Sequence, residues 1–103
     1  MSDQYTLPSP AAEKPADTKP KNLHVKVISP AQVYYEGPAE SVSAKNKVGD
    51  FDILANHANF FSLLTAGDIR INTGAQTLTF PIKDGIVKVT NNVVTLFIYL
   101  PDD

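Results

Sequence analysis

The strongest constraint on the fold is the position of the β-branched residues. All sixteen valines and isoleucines fall between residues 23 and 100, and none occurs in residues 1–22. β-Branched side chains lose rotamer freedom in helices and pack well on a pleated sheet. Glycine, proline, asparagine and aspartate interrupt residues 23–100 at short intervals, which is typical of short strands joined by turns. The pattern predicts an all-β sandwich or barrel.

Individual segments support this prediction. Residues 77–82 alternate polar and apolar side chains with the two-residue period of a half-buried strand. Pro81 within that segment predicts an edge strand or a bulge, because proline has no N–H to donate to a sheet ladder. Asn91 and Asn92 lie between two apolar runs and predict a hairpin turn.

One segment, Leu54–Ala66, fits two secondary structures. Its apolar residues also satisfy the spacing of a helical stripe, but the surrounding β pattern favours a strand. Three glycines, Gly49, Gly67 and Gly85, are expected at tight turns, where glycine adopts positive φ without steric cost.

Residues 1–22 differ in kind from the remainder. They hold four of the eight prolines and contain no valine or isoleucine. Such a segment buries too little apolar surface to offset the entropy of ordering it, so it is predicted to be a disordered Pro-rich tail. A Pro-rich docking peptide is the alternative interpretation.

Composition excludes several classes of function. Nine Lys and Arg against eleven Asp and Glu give a net charge of −2, which argues against a dedicated nucleic-acid binder. The absence of cysteine excludes disulfides and thiolate metal sites, and two histidines 33 positions apart form no local metal motif. The N-terminus has no signal-peptide pattern, and the apolar run Val93–Leu100 is too short to span a bilayer.

Catalytic motifs were sought and none was found. The sequence has neither a Gly-x-x-x-x-Gly-Lys-Ser/Thr loop nor a Gly-x-Ser-x-Gly elbow. Its aspartates lie next to glycines or in turn-like segments, where they support local backbone geometry. A small hydrolase using His57 with Asp50 or Asp52 is the least favoured interpretation, and no cofactor is indicated.

Seven short segments follow one another between residues 23 and about 99: LHVKVISP at 23–30, VYYEG at 33–37, AESV at 39–42, GDFDIL at 49–54, ANHANFFSLL at 55–64, AGDIRI at 66–71 and DGIVKV at 84–89. In this order and at nearly this spacing they resemble the epsilon subunit of F-type ATP synthases. No single segment identifies the family, whereas the ordered set does.

The resemblance implies a two-sheet antiparallel β-sandwich of about ten short strands over residues 23–100. It also implies a non-catalytic central-stalk subunit that binds the gamma subunit and the c-ring and couples proton-driven rotation to ATP synthesis. Such a subunit is peripheral, at the cytoplasmic face of the bacterial inner membrane, and meets the membrane only through its complex. The alternative is a stand-alone β-sandwich interaction module tethered by its Pro-rich tail.

The sequence departs from the family pattern in three places. Asp52 and Asn56 replace glycines, and both residue types tolerate turn conformations. Asn59 and Phe60 replace a Pro-Leu pair, which makes that loop less rigid. The chain ends at Asp103, where longer members continue into a helical hairpin, so the inhibition and ATP binding attributed to that hairpin are not carried over.

The resemblance also suggests two contact surfaces. Lys47, Asp50 and Phe51 are expected at the bottom of the sandwich, facing the c-ring. The expected gamma interface consists of Ser29, Val33, His57 and Phe60. Ser29 and His57 should then converge within about 12 Å, since an interface patch spans about 800 Å² per partner.

Overall fold

The computed structural model describes residues 22–101, and the structural statements below concern those residues. The predicted tail lies outside them except for its last residue, Asn22. Nine strands are formed: β1 Leu23–Ile28, β2 Val33–Ala39, β3 Ser41–Asn46, β4 Gly49–Leu54, β5 Phe60–Leu64, β6 Gly67–Asn72, β7 Thr77–Ile82, β8 Asp84–Thr90 and β9 Val93–Tyr99.

The strands form two sheets, as expected for a sandwich. The five-stranded sheet has the order β2-β1-β9-β8-β5, and the four-stranded sheet has the order β4-β3-β6-β7. Neighbouring strands are antiparallel except β1 and β9, which are parallel. This parallel pair was not expected, and the described residues form nine strands where about ten were predicted.

The core lies between the two sheets. Leu23, Val25 and Val27 alternate with more exposed residues along β1, and each is at most 1% exposed. The same alternation repeats along the other strands, so each sheet contributes one apolar face. The other fully buried large side chains are Val42, Ile53, Ile69, Ile71, Val87, Val89, Val94, Leu96 and Ile98.

The turns and edges follow most of the sequence predictions. Asn91 and Asn92 form the β8–β9 hairpin turn with φ of 49° and 66°, as type I′ turns require. Residues 60–64 are strand rather than helix, and Pro81 lies on β7, an edge strand of the four-stranded sheet.

Gly85 is a correction. It does not occupy a turn but is buried within β8, where a Cβ would lie 2.5 Å from the carbonyl oxygen of Phe97. Glycine is required there because the backbone of β9 passes too closely for any side chain. Gly49 and Gly67 do have positive φ, at 144° and 152°.

Candidate interaction surfaces

The first surface is the tip of the β3–β4 hairpin. The side-chain oxygen of Asn46 accepts hydrogen bonds from the backbone N–H groups of Val48 and Gly49, at 2.9 and 3.2 Å. This fixes the turn and leaves Val48 96% exposed. Lys47 and Asp50 are exposed at this tip, whereas the neighbouring Phe51 is half-buried and turned towards the core.

Phe51 belongs to an aromatic cluster that closes one side of the sandwich. Its ring centroid lies 5.5 Å from that of Phe60, with an edge-to-face angle of 65°. The His57 ring packs on the same Phe60 ring, again at 5.5 Å. Nearby, the Asn46 amide donates to the Ser62 hydroxyl at 3.2 Å. Phe51, expected at the c-ring, therefore contacts Phe60, which was expected at gamma and which also carries the His57 ring.

His57 is held by two local contacts. Its backbone N–H donates to the Leu54 carbonyl at 3.1 Å, and its Nδ1 lies 2.8 Å from the Ala58 carbonyl. Because a carbonyl oxygen only accepts, Nδ1 carries a proton. In the neutral ring Nε2 is then a hydrogen-bond acceptor.

No catalytic pair involving His57 is assembled in the described residues. The Asp52 carboxylate accepts a hydrogen bond from the Ser43 hydroxyl at 2.6 Å, on the outer face of the four-stranded sheet. Within residues 22–101, no group of three or more histidine, aspartate or glutamate side chains could hold a metal ion.

Ser29 and Val33 lie at the β1–β2 connection. The Ser29 hydroxyl oxygen accepts from the N–H groups of Ala31 and Gln32, at 3.1 and 3.3 Å, which stabilises this turn. Val33 pairs with Ile28 and is 54% exposed.

The strand register does not bring Ser29 and His57 together. The residue preceding His57, Asn56, contacts Asn92, whose carbonyl accepts from the N–H of His24 near the start of β1. Ser29 directly follows the end of the same strand, and the intervening residues of β1 span about 16 Å. The expected gamma residues thus form two pairs, Ser29 with Val33 and His57 with Phe60, at opposite ends of the five-stranded sheet.

A further surface was not predicted from the sequence. One row of directly paired residues crosses the outer face of all five strands of the larger sheet, and every member is apolar. The row, here called the apolar row, consists of Val33, Ile28, Phe97, Ile86 and Leu63.

Several members of the apolar row are strongly exposed. Leu63 is 64%, Val33 54% and Phe97 46% exposed. A cleft of about 310 Å³ adjoins the row, lined by Leu63, Leu64, Asp84, Gly85, Ile86 and Tyr99. Contiguous exposed apolar surface of this kind marks an interaction site rather than a solvated face.

The four-stranded sheet provides an internal comparison. The corresponding row across its outer face consists of Thr79, Arg70, Ser43 and Asp52, all polar or charged. Solvent-facing antiparallel sheets are normally polar on one side. The apolar row departs from this rule, whereas the row two residues away on the same face, Glu36, Lys26, Thr95, Lys88 and Phe61, is mostly polar. The part of the larger sheet that carries the apolar row is therefore the stronger candidate for a partner.

A sequence signal for the apolar row was present. The run Val93–Tyr99 is apolar at both odd and even positions except Thr95, so this strand has no polar face. Strands of that kind are buried on both sides. Within the described part of the chain, no helix is long and apolar enough to cross a membrane.

Comparison with known proteins identifies the family. The profile of the family described as ATP synthase, Delta/Epsilon chain, beta-sandwich domain matches residues 22–98. The chain belongs to this family.

Two similar members of this family are ATP synthase epsilon chains. That of Caulobacter vibrioides is 34% identical over 74 residues, covering 72% of this chain and 86% of the relative. That of Cyanothece sp. is 33% identical over 76 residues, covering 74% of this chain and 55% of the relative. The match therefore spans most of the first relative but little more than half of the second.

Chains in two solved ATP synthase structures share the fold. A chain of the Euglena gracilis mitochondrial ATP synthase, from a structure of its OSCP/F1/c-ring part, has a TM-score of 0.74 at 15% identity. The match covers 95% of this chain and 68% of that one. A chain of the Tetrahymena thermophila mitochondrial ATP synthase, in a structure of the central stalk and c-ring, has a TM-score of 0.69 at 18% identity. Here 80% of this chain and 66% of that one are covered.

Proposed function

We propose that this chain is a non-catalytic central-stalk subunit of an F-type ATP synthase. In this role it binds the gamma subunit and the c-ring and couples proton-driven rotation to ATP synthesis. It belongs to the peripheral part of the complex, at the cytoplasmic face of a bacterial inner membrane. Family membership supports the assignment to the complex, and the contrast between the two outer faces supports a role carried out through a surface.

The gamma subunit is assigned to the outer face of the five-stranded sheet. Five strands about 4.8 Å apart make this face about 19 Å wide. A typical interface of about 800 Å² per partner measures roughly 28 Å on a side, so one partner can cover the whole face. It would then reach Ser29 and Val33 at one end and His57 at the other, where Phe60 supports the His57 ring from the core side.

The c-ring is assigned to the tip of the β3–β4 hairpin. Lys47 and Asp50 are exposed there, and Val48 projects between them with almost no contact to the remainder of the chain. A tip with one exposed apolar residue and charges of both signs can bind short polar loops such as those proposed for the c-ring. Phe51 would support the tip from within the sandwich rather than contact the ring directly, because it packs on Phe60.

A binding experiment with matched leucines tests the gamma assignment. Leu63, on the apolar row, is 64% exposed, and Leu54, on the other sheet, is 57% exposed. We expect Leu63→Gln to raise the dissociation constant of the purified chain for gamma at least tenfold, as for a hot-spot residue of an interface. Leu54→Gln should bind as the unmodified chain does, and calorimetry measures both.

Two outcomes would contradict the proposal at different levels. Equal affinities for Leu63→Gln and Leu54→Gln would remove gamma from this face. Failure of the unmodified chain to bind gamma at all would favour the stand-alone interaction module.

A further inference from the structure

Four asparagines from two distant segments meet at one end of the sandwich. Asn56 and Asn59 flank His57 in the loop between β4 and β5, and Asn91 and Asn92 form the β8–β9 turn. The two segments are more than thirty residues apart in sequence, so only the fold brings them together.

The contacts between the two segments are reciprocal. The backbone N–H of Asn56 donates to the side-chain oxygen of Asn92 at 2.6 Å, and the Asn92 side-chain amide donates back to the Asn56 side-chain oxygen at 3.3 Å. A third bond runs from the backbone N–H of Asn91 to the side-chain oxygen of Asn59, at 3.1 Å. The loop is thereby tied to the turn on both sides of His57.

The β8–β9 turn is fixed by its own strands, whereas the conformation of the loop at residues 55–59 depends on its bonds to that turn. Val93 and Thr90 are paired across the β8–β9 hairpin, and the Asn92 carbonyl accepts from the N–H of His24 at 2.8 Å. Residues 55–59 belong to no strand. Asn56 has a φ of 67°, a region that asparagine visits but does not strongly favour. The bonds from Asn92 therefore select the conformation of the loop.

We infer that Asn92 is a positioning residue for His57. Its side-chain amide fixes the backbone at Asn56 and so holds the imidazole against Phe60, with Nδ1 bonded to the Ala58 carbonyl. Nε2 is then kept as an acceptor for a donor group on a partner surface. Use of that acceptor in gamma binding rests on the proposed function, whereas the positioning itself does not.

Two matched variants of the turn test the inference. Asn92→Gly removes the amide, and glycine tolerates the φ of 66° at this position, so the turn is kept. Asn91→Gly is the control: it makes the same change in the same turn at a φ of 49°, and its backbone N–H remains available to Asn59.

Nitrogen-15 NMR of the isolated chain supplies the measurements. In Asn92→Gly we expect the Asn56 amide to exchange with solvent at least tenfold faster, and the ring nitrogens of His57 to shift towards a mixture of tautomers. In Asn91→Gly the exchange rate should stay within threefold and the ring signals should not move. Asn92→Asp keeps the acceptor oxygen and should restore most of the protection at Asn56.

The inference is overturned if Asn92→Gly leaves the Asn56 exchange rate and the His57 ring signals unchanged, or if both glycine variants change them equally. Should Asn92→Gly not fold, Asn92→Ala removes the same two side-chain bonds, and unchanged His57 ring signals in that variant would overturn the inference. No partner is present in these measurements. A negative NMR result would therefore leave the proposed gamma binding untouched. Equally, a failure to bind gamma would leave the NMR result on His57 positioning untouched.

Discussion

At the scale of single residues, the hairpin tip provides the clearest test of the c-ring contact. Asp50 is exposed and pairs across the hairpin with Lys45, beside Lys47. Asp50→Lys would place three lysines together and reverse the local charge. We expect the free energy of unfolding to change by less than about 0.5 kcal/mol, as for most surface substitutions. Coupled proton pumping should nevertheless weaken.

The measurement is ATP-driven proton uptake by membrane vesicles that carry the variant. Glu40→Lys is the control, because it makes the same charge change at an exposed position at the opposite end of β3. Unchanged pumping in Asp50→Lys vesicles would refute the c-ring assignment.

Residue types in the sequence predicted which positions allow an unusual backbone conformation, but not why a glycine is required at a given position. Asn56 does adopt a positive φ, as a replacement for glycine requires, but Asp52 lies in regular strand β4. Gly85 was expected in a turn and instead makes room for the carbonyl of Phe97. Local sequence reports which conformations a residue allows, whereas close approach depends on a strand distant in sequence.

At the scale of elements, the contact between β4 and β5 closes one side of the sandwich. Phe51 and Phe60 come from edge strands of different sheets, and their rings meet edge to face at 5.5 Å. Truncation of either half-buried ring to alanine should lower the free energy of unfolding by about 2 kcal/mol. The double variant should reveal a coupling of about 1 kcal/mol beyond area burial, because the rings interact directly.

Chemical denaturation of the two single variants and the double variant measures this coupling. Phe61→Ala, on the same strand but with a 63% exposed ring, should cost less than about 1 kcal/mol and serves as the control. If the effects of Phe51→Ala and Phe60→Ala add within about 0.3 kcal/mol, this pair does not close that side of the sandwich.

This element contact also explains why the candidate site was only partly predictable. The alternating pattern located the strands and Gly49 marked a turn, while the family resemblance suggested Lys47 and Asp50 as contact residues. Nothing local indicates which edges of the two sheets meet, so Phe51 and Phe60 were expected on separate surfaces. The apolar row was missed for the same reason, since it exists only once five strands are in register.

At the scale of the whole molecule, the larger sheet forms completely only when β1 and β9 have paired. These strands come first and last among the described elements, and they pair side by side in the middle of the larger sheet. Contacts so distant in sequence form late and only after a large loss of chain entropy. The sheet therefore depends on residues 93–99 as strongly as on its first strand.

Two opposite truncations test this dependence and the role of the N-terminal segment. Among residues 22–101, the sixteen buried core residues lie between residues 23 and 98. Removal of residues 1–21 should therefore shift the melting temperature by only a few degrees, because little apolar burial is lost.

Removal of residues 93–103 deletes Val94, Leu96 and Ile98, all fully buried, and leaves β1 and β8 without their shared neighbour. That chain should show no cooperative melting transition. Circular dichroism during heating measures both truncations. A drop of more than about 10 °C on removal of residues 1–21, equivalent to more than about 1 kcal/mol for a domain of this size, would show that this segment contributes to the folded state. A cooperative transition without residues 93–103 would show that the parallel pair is dispensable.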